Sequence, residues 1–162
     1  MPGSRRSHGP AASDGRDFPI VAVGASAGGL EACQKFFDGV PPGPGMAFIV
    51  VQHLDPNHES LMVDLLSGHS AMAVQVAVDG ARLEPDNVYV IAPGTYLAVK
   101  AGALVVSAPT ARRGARLPFD FLLNALAEHC GGRTVCVILS GSLADGSRGL
   151  LAVKAAGGAV IA

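Results

Sequence analysis

The sequence of 162 residues predicts an α/β fold: a doubly wound, mostly parallel sheet with helices on both faces and an inserted β-hairpin. Two observations support this prediction. Short apolar runs rich in β-branched residues, typical of strands buried on both faces, alternate with amphipathic segments of helical period. Glycines and prolines, 21 and 11 in number, separate many of these segments. Because parallel strands need crossover connections, the alternation favours a parallel sheet with right-handed crossovers.

Each predicted strand is a short apolar run, and turn residues separate it from the next element. The predicted strands are Ile20–Ala25, Ala47–Gln52, 74–78, 88–92, 134–139 and 159–162, and Tyr96–Lys100 with Ala103–Ser107 forms the hairpin. The predicted helices cover residues 30–37, 59–66, 119–129 and 147–156. Prolines and glycines at 41–45 end the first helix, and Asp55 or Asn57 is the candidate N-cap of the second. Gly157-Gly158 ends the last helix.

Composition limits the organisation and the partners of the chain. Residues 1–17 are polar and rich in small residues, which predicts a disordered tail before one domain at 18–162. The sequence contains neither an apolar run of the roughly 20 residues needed to span a membrane nor a secretory signal. A net charge of −1 disfavours binding to nucleic acid or to an anionic membrane surface. Cys33, Cys130 and Cys136 lack metal-ligand spacing, so we expect free thiols in a reducing cytoplasm.

Polar side chains follow the three most apolar strands of the predicted sheet. Ser26 follows the first strand, His53 follows the second, and Asp145 comes a few residues after the strand at 134–139. The carboxyl ends of parallel strands meet at one edge of a sheet, and ligands bind there. Serine, histidine and a carboxylate are the nucleophile, the general base and the group that orients the base. The sequence therefore predicts a catalytic triad at this edge.

Ser26 is the centre of a GxSxG string, Gly24-Ala25-Ser26-Ala27-Gly28, between a strand and a helix. Its glycines favour a sharp turn that presents the serine Oγ. The backbone amides of Ala27 and Gly28 are then candidates for an oxyanion site at the start of the helix.

Simpler structural roles are open for the same residues. Ser26 could only cap the helix that follows it. Asp145 and Asp120 each stand near the start of a predicted helix, where an aspartate commonly caps its own helix. The arginines between residues 112 and 116 are either a solvated loop or a contact for a substrate carboxylate.

Two other chemistries also remain open. The string Gly24-x-Ser26-x-x-Gly29 is similar to the dinucleotide-binding GxGxxG, but that fingerprint calls for an acidic residue where Gln52 and His53 stand. A nucleotide-binding module is therefore an alternative function. His53, Asp55 and His58 could bind a metal ion, although their spacing matches no strong ligand motif.

Five ordered strings resemble the catalytic domain of the chemotaxis protein-glutamate methylesterases, the CheB family, over residues 19–162. They are IVAVGASAGG at 20–29, VVQHL at 50–54, VYVIAPG at 88–94, RLPFD at 116–120, and VILSG at 137–141 with Asp145-Gly146. The sequence GMAFIVVQH at 45–53 is most similar to family members fused to, or accompanying, a CheR-type methyltransferase.

The resemblance implies a serine hydrolase that removes methyl esters from glutamate side chains of methyl-accepting chemotaxis receptors and deamidates particular glutamines. It implies no metal or organic cofactor, and a CheR-type methyltransferase as a further partner. The implied roles are nucleophile for Ser26, base for His53, orienting carboxylate for Asp145, and oxyanion-site backbone for Ala27, Gly28 and Ser142.

Two features differ from the family pattern. Leu143 stands where the family usually has a glycine, in a loop that borders the oxyanion site. This keeps open a second function, a catalytically impaired relative that binds a signalling partner through the same face. Relatives also continue beyond the strand at 159–162 with a turn and a further helix-forming segment, so we expect a domain shortened at its C-terminus.

Overall fold

The computed structural model describes residues 17–26, 28–52, 61–109, 116–140 and 145–162. The strands are β1 Ile20–Ala25, β2 Ala47–Gln52, β3 Ala73–Val76, β4 Asn87–Val90, β5 Tyr96–Lys100, β6 Ala103–Ser107, β7 Thr134–Ser140 and β8 Ala159–Ile161. The helices are α1 Leu30–Asp38, α2 Met62–Ser67, α3 Pro118–Cys130 and α4 Ser147–Ala155, with a 3-10 turn at Gly131–Arg133.

Six strands form one parallel sheet in the order β3-β4-β2-β1-β7-β8. β5 and β6 form a separate antiparallel pair in which Tyr96 faces Ser107. The predicted doubly wound sheet and its inserted hairpin are confirmed. β1 is the centre of the sheet, paired with β2 on one side and β7 on the other.

Helices cover both faces of the sheet because the central strands are apolar on both sides. All six residues of β1 are buried, and alternate residues face opposite sides. Ile20 and Ala22 pack with α3 and the hairpin, whereas Val21 and Val23 pack with α1 and α2. On the second face, Phe37 of α1 meets Phe48 of β2 edge to face, with ring centroids 5.6 Å apart. The buried apolar residues of α3 recur at helical spacing: Phe119, Leu122, Leu123, Leu126 and Cys130.

Most predicted elements are present, with shifts at their ends. The strand predicted at 74–78 ends at Val76, because the chain then turns at Asp79 toward the hairpin. There the Asp79 carboxylate accepts a hydrogen bond from the Val106 amide at 2.9 Å, and the Gly80 amide donates to the Leu104 carbonyl at 2.8 Å. The strand predicted at 88–92 is observed as Asn87–Val90.

Some predictions fall on residues that the structure does not describe. The predicted tail lies outside the described residues except for Asp17, and Phe18 beside it packs against the core. The start of the helix predicted at 59–66, with its candidate caps Asp55 and Asn57, also lies outside them. In the part of the chain that is described, no helix has the length and apolar character needed to span a membrane.

The three cysteines are buried and free. Cys33 on α1 and Cys136 on β7 have no exposed surface, and burial raises the pKa of each thiol to about 11. Burial also raises the pKa of Cys130, an effect that the Arg133 charge partly offsets. A thiol that resists ionisation is a poor nucleophile, so these cysteines serve the core as small apolar side chains.

The buried thiols predict a loss of stability at alkaline pH. The folded pKa of Cys136 lies above its ordinary value of 9.0, so the stabilisation is complete below pH 9 and is lost as pH rises toward 11. The contribution of this thiol is measured by comparing the free energy of unfolding in urea of Cys136→Ala and of the unsubstituted chain at pH 8 and at pH 10.5. We expect the destabilisation caused by Cys136→Ala to shrink above pH 9 by up to about 1.4 kcal/mol per pH unit.

The matched control is Val137→Ala, which removes a buried and non-titrating neighbour on the same strand. Its cost should not vary with pH. A Cys136→Ala cost that is equally constant would contradict the raised pKa.

Candidate active site

The order of the strands creates a crevice at the carboxyl end of β1. The chain runs from β1 to β2 on one side of the sheet, and from β7 to β8 on the other. Crossovers that leave in opposite directions open a gap between β1 and β7, which is where parallel sheets bind ligands. Ser26 directly follows β1, and Asp145 follows the segment after β7. Both predicted residues therefore lie at the same edge of the sheet.

Hydrogen bonds to the backbone fix the turn at Ser26. Its carbonyl oxygen accepts bonds from the Gly29 amide at 2.8 Å and from Nε2 of Gln52 at 3.2 Å. The N-cap of α1 is Gly29, and no side chain caps that helix. The interpretation of Ser26 as the cap of α1 is therefore wrong, and its half-buried side chain lies just before the helix.

Gln52 is a site residue that the sequence analysis did not single out. It ends β2, is only 5% exposed, and reaches across to the Ser26 carbonyl from the neighbouring strand. A polar residue that closes an otherwise apolar buried strand was the available signal, because a buried amide needs a specific partner.

β7 is irregular beside the site. Gly24 of β1 pairs with Ile138, but the next residue, Ala25, pairs with Ser140. Leu139 is therefore an extra residue in β7, which defines a β-bulge one position before Ser26. Bulges bend a strand and redirect the chain that follows, and they are frequent next to active sites.

The first glycine of the GxSxG string has a packing role rather than a turn role. A Cβ on Gly24 would collide with Cε1 of the Phe119 ring and would lie 2.7 Å from its Cδ1. Gly24 belongs to β1, so the predicted sharp turn does not involve it. A Cβ on Gly28 would contact nothing within 4 Å, and the residue is exposed. The missing side chain at Gly24 allows the Phe119 ring to pack directly on the strand that ends at Ser26.

Asp145 caps a helix, but not the one that follows it. The N-cap of α4 is Gly146, with no side-chain cap, so the alternative in which Asp145 only caps α4 is wrong. The Asp145 carboxylate instead accepts hydrogen bonds from the amides of Phe119, at 2.9 Å to Oδ2, and of Asp120, at 2.8 Å to Oδ1. Asp120 likewise does not cap its own helix: its Oδ1 accepts a bond from the Gly149 amide of α4 at 2.6 Å.

This contact satisfies the whole first turn of α3. Pro118 is the first residue of the helix and has no N–H, and the next two amides bind Asp145. The Phe121 amide donates to the Leu117 carbonyl at 3.0 Å. Asp145 is only 4% exposed, and the positive end of the helix compensates its negative charge. Phe119 therefore links both sides of the site, with its ring against β1 and its amide on Asp145.

The other predicted site residues fall partly outside the described chain. His53, Ala27 and Ser142 are not among the described residues, and neither are the candidate metal ligands Asp55 and His58. Gly28 is described, but no contact with another described residue defines a role for its amide. The described residues contain no group of three histidines, cysteines or acidic residues that could hold a metal ion.

Comparisons with known proteins agree with this architecture. The family model described as CheB methylesterase matches residues 21–162. The crystal structure of the Thermotoga maritima CheB methylesterase catalytic domain is similar, with a TM-score of 0.80, 30% identity, and coverage of 90% of this chain and 79% of that one.

Curated relatives have names that specify an activity. A Burkholderia orbicola protein named protein-glutamate methylesterase/protein-glutamine glutaminase 2 is 35% identical over 157 residues, which are 96% of this chain and 47% of the relative. A Rhizobium etli protein named protein-glutamate methylesterase/protein-glutamine glutaminase is 39% identical over 149 residues, 85% of this chain and 41% of the relative. The protein-glutamate methylesterase FrzG of Myxococcus xanthus is 33% identical over 146 residues, which are 90% of this chain and 44% of the relative. The chain thus spans about half the length of these relatives.

The packing of Phe119 predicts that the two glycines of GxSxG tolerate substitution differently. Gly24→Ala places a methyl group too close to the ring of Phe119. Phe119 is only 1% exposed and its backbone amide is bound to Asp145, so the ring has little room to move away. We expect overpacking to lower the free energy of unfolding by about 1–3 kcal/mol in urea titrations. Gly28→Ala, the matched control, should change it by less than about 0.5 kcal/mol.

Phe119→Leu in the Gly24→Ala background should recover part of the loss, because the two substitutions act on one contact. Equal stability of Gly24→Ala and Gly28→Ala would show that Phe119 does not require the glycine.

Proposed function

Because the chain belongs to the CheB methylesterase family, we propose that it is a serine hydrolase that removes methyl esters from glutamate side chains of chemoreceptors. The observation that supports this most directly is the position of Ser26 and Asp145 at one edge of the sheet, linked through Phe119. The names of the relatives support hydrolysis of glutamate esters and of glutamine amides over nucleotide binding.

The proposed reaction starts with attack of the Ser26 Oγ on the ester carbonyl carbon, while His53 accepts the hydroxyl proton. The resulting oxyanion is stabilised by backbone amides around Ala27, Gly28 and Ser142. Collapse of the tetrahedral intermediate breaks the bond to the methoxy group, which takes the proton from His53 and leaves as methanol. Water then attacks the glutamyl-enzyme with His53 as base, which releases glutamate and restores Ser26. Attack on a glutamine side chain follows the same course, with ammonia as the leaving group.

Asp145 is proposed to orient His53 and to stabilise the imidazolium that forms during the reaction. The amides of Phe119 and Asp120 bind one oxygen each, Oδ2 and Oδ1. Anchoring of both oxygens by backbone groups fixes the carboxylate, which lowers the reorganisation needed when charge develops on the base.

The proposed protein substrate is a methyl-accepting chemotaxis receptor, and a CheR-type methyltransferase that makes the ester is a proposed partner. The string GMAFIVVQH at 45–53 supports this association. The buried free thiols support action in a reducing cytoplasm.

Substitution Ser26→Ala tests the nucleophile. Methanol release from a receptor carrying labelled methyl esters should fall by at least about a thousandfold, because the acyl-enzyme can no longer form. Thermal unfolding should be unchanged. Ser107→Ala, at the exposed end of β6, is the matched control and should keep full activity.

Methanol release by Ser26→Ala at the unsubstituted rate would refute the mechanism. An unsubstituted chain that binds methylated receptor without releasing methanol would instead support the catalytically impaired, partner-binding function.

A further inference from the structure

The N-termini of α3 and α4 bind each other through two buried aspartates. Asp120 is the third residue of α3, and its amide donates to Oδ1 of Asp145 at 2.8 Å. Its own Oδ1 accepts a hydrogen bond from the amide of Gly149, the third residue of α4, at 2.6 Å. The two bonds and the chain from Asp145 to Gly149 close a ring. A displacement of Asp145 therefore requires α4 to move as well, or one of these bonds to break.

Glycine allows the two helices to approach closely at this point. A Cβ on Gly149 would lie 2.5 Å from Cβ of Leu123 and 3.1 Å from Oδ1 of Asp120. Asp120 is 5% exposed and Asp145 is 4% exposed, so water competes little for either carboxylate. The junction has little room for alternative arrangements.

The same geometry explains how two acidic side chains can be buried side by side. Two adjacent carboxylates repel each other, and burial increases the cost of each charge. Here each carboxylate lies at the positive N-terminal end of a helix. Asp145 precedes α4, but its carboxylate binds the first amides of α3. Asp120 belongs to α3, but its carboxylate binds an amide in the first turn of α4. The pair is an exchange of caps between two helices rather than an isolated ion pair.

We propose that Asp120 is a positioning residue for the reaction: its carboxylate holds the start of α4 through Gly149 and so fixes Asp145, the residue that orients the catalytic base. This role rests on the proposed function, because it matters for catalysis only if Asp145 acts on His53. The Asp120 side chain accepts its hydrogen bond from the Gly149 amide of α4, four residues after Asp145. It acts through the backbone at Gly149.

Asp120→Ala and Asp120→Asn separate positioning from charge. Alanine removes the acceptor for the Gly149 amide, whereas the side-chain oxygen of asparagine can keep that bond. Oδ2 of Asp120 accepts no hydrogen bond from the described residues, so an NH2 group in its place displaces none of their bonds. Asp79→Ala is the matched control, since it removes the same kind of bond, from a carboxylate to the Val106 amide at 2.9 Å, at the hairpin.

Kinetics with methylated receptor and the labelling rate of Ser26 by a fluorophosphonate measure the effect on the site. For Asp120→Ala we expect kcat and the labelling rate to fall by about tenfold to a hundredfold, because the orienting carboxylate is displaced, with KM within about twofold. Asp120→Asn should lie within about threefold of the unsubstituted chain, and Asp79→Ala should be unchanged. An unaltered kcat in Asp120→Ala, or an Asp120→Asn variant of normal stability that is strongly impaired, would overturn the proposal.

Amide hydrogen exchange tests the positioning without any activity. The amides of Phe119 and of residue 120 are held by Asp145, so in Asp120→Ala both should exchange about fivefold to thirtyfold faster, and in Asp120→Asn at the normal rate.

If the unsubstituted chain neither releases methanol nor reacts with the fluorophosphonate, the proposed function fails, and exchange alone decides whether Asp120 fixes Asp145. Unchanged exchange of both amides in Asp120→Ala would overturn the positioning even in an active enzyme. If Asp120→Ala does not fold, Asp120→Asn decides, with impaired activity at normal stability as the contrary result.

Discussion

The two hydrogen bonds that Asp145 accepts from the first turn of α3 hold the functional edge of this domain together. They connect the chain after β7 to a helix that covers one face of the sheet. Pro118 leaves only two amides in that turn for an outside acceptor, and one carboxylate satisfies both. Without it, α3 would begin with unsatisfied buried donors, each costing roughly 1–3 kcal/mol, and the buried carboxylate would lose its compensating charge.

The packing of the central strand depends on the same contact. Phe119 donates one of the two amides, and its ring lies on Gly24 where a side chain would collide with it. The strand that leads to Ser26 and the carboxylate that follows β7 are therefore held by one residue. The β-bulge at Leu139 and the Gln52 contact add two further constraints from the neighbouring strands. The proposed nucleophile and the proposed orienting carboxylate need such rigid support, because catalysis is sensitive to small displacements of the groups that take part in it.

The sequence predicted the elements better than the contacts between them. Continuous apolar runs predicted β1, β2 and β7, because a strand that is buried on both faces needs apolar residues at nearly every position. The end of β3 differs from its prediction, and the alternative in which Asp145 and Asp120 each cap their own helix is wrong. An aspartate near the start of a helix usually caps that helix, whereas here each aspartate serves the other helix. Local sequence cannot reveal this exchange, since Asp120 and Asp145 are 25 positions apart along the chain.

The sequence by itself determined the fold class, the family and the chemical types at the sheet edge. Periodicity, turn residues and the five ordered motifs are local properties, so they can be recognised without knowing how the chain packs. Only the tertiary structure decided why Gly24 is a glycine, what Asp145 holds, and how two carboxylates share a buried junction. Each of these depends on groups brought together by the parallel crossovers, and the contact of Gly24 with Phe119 joins positions that lie nearly a hundred residues apart. Steric exclusion and compensation of buried charge are properties of that assembled surface, so no reading of neighbouring residues could supply them.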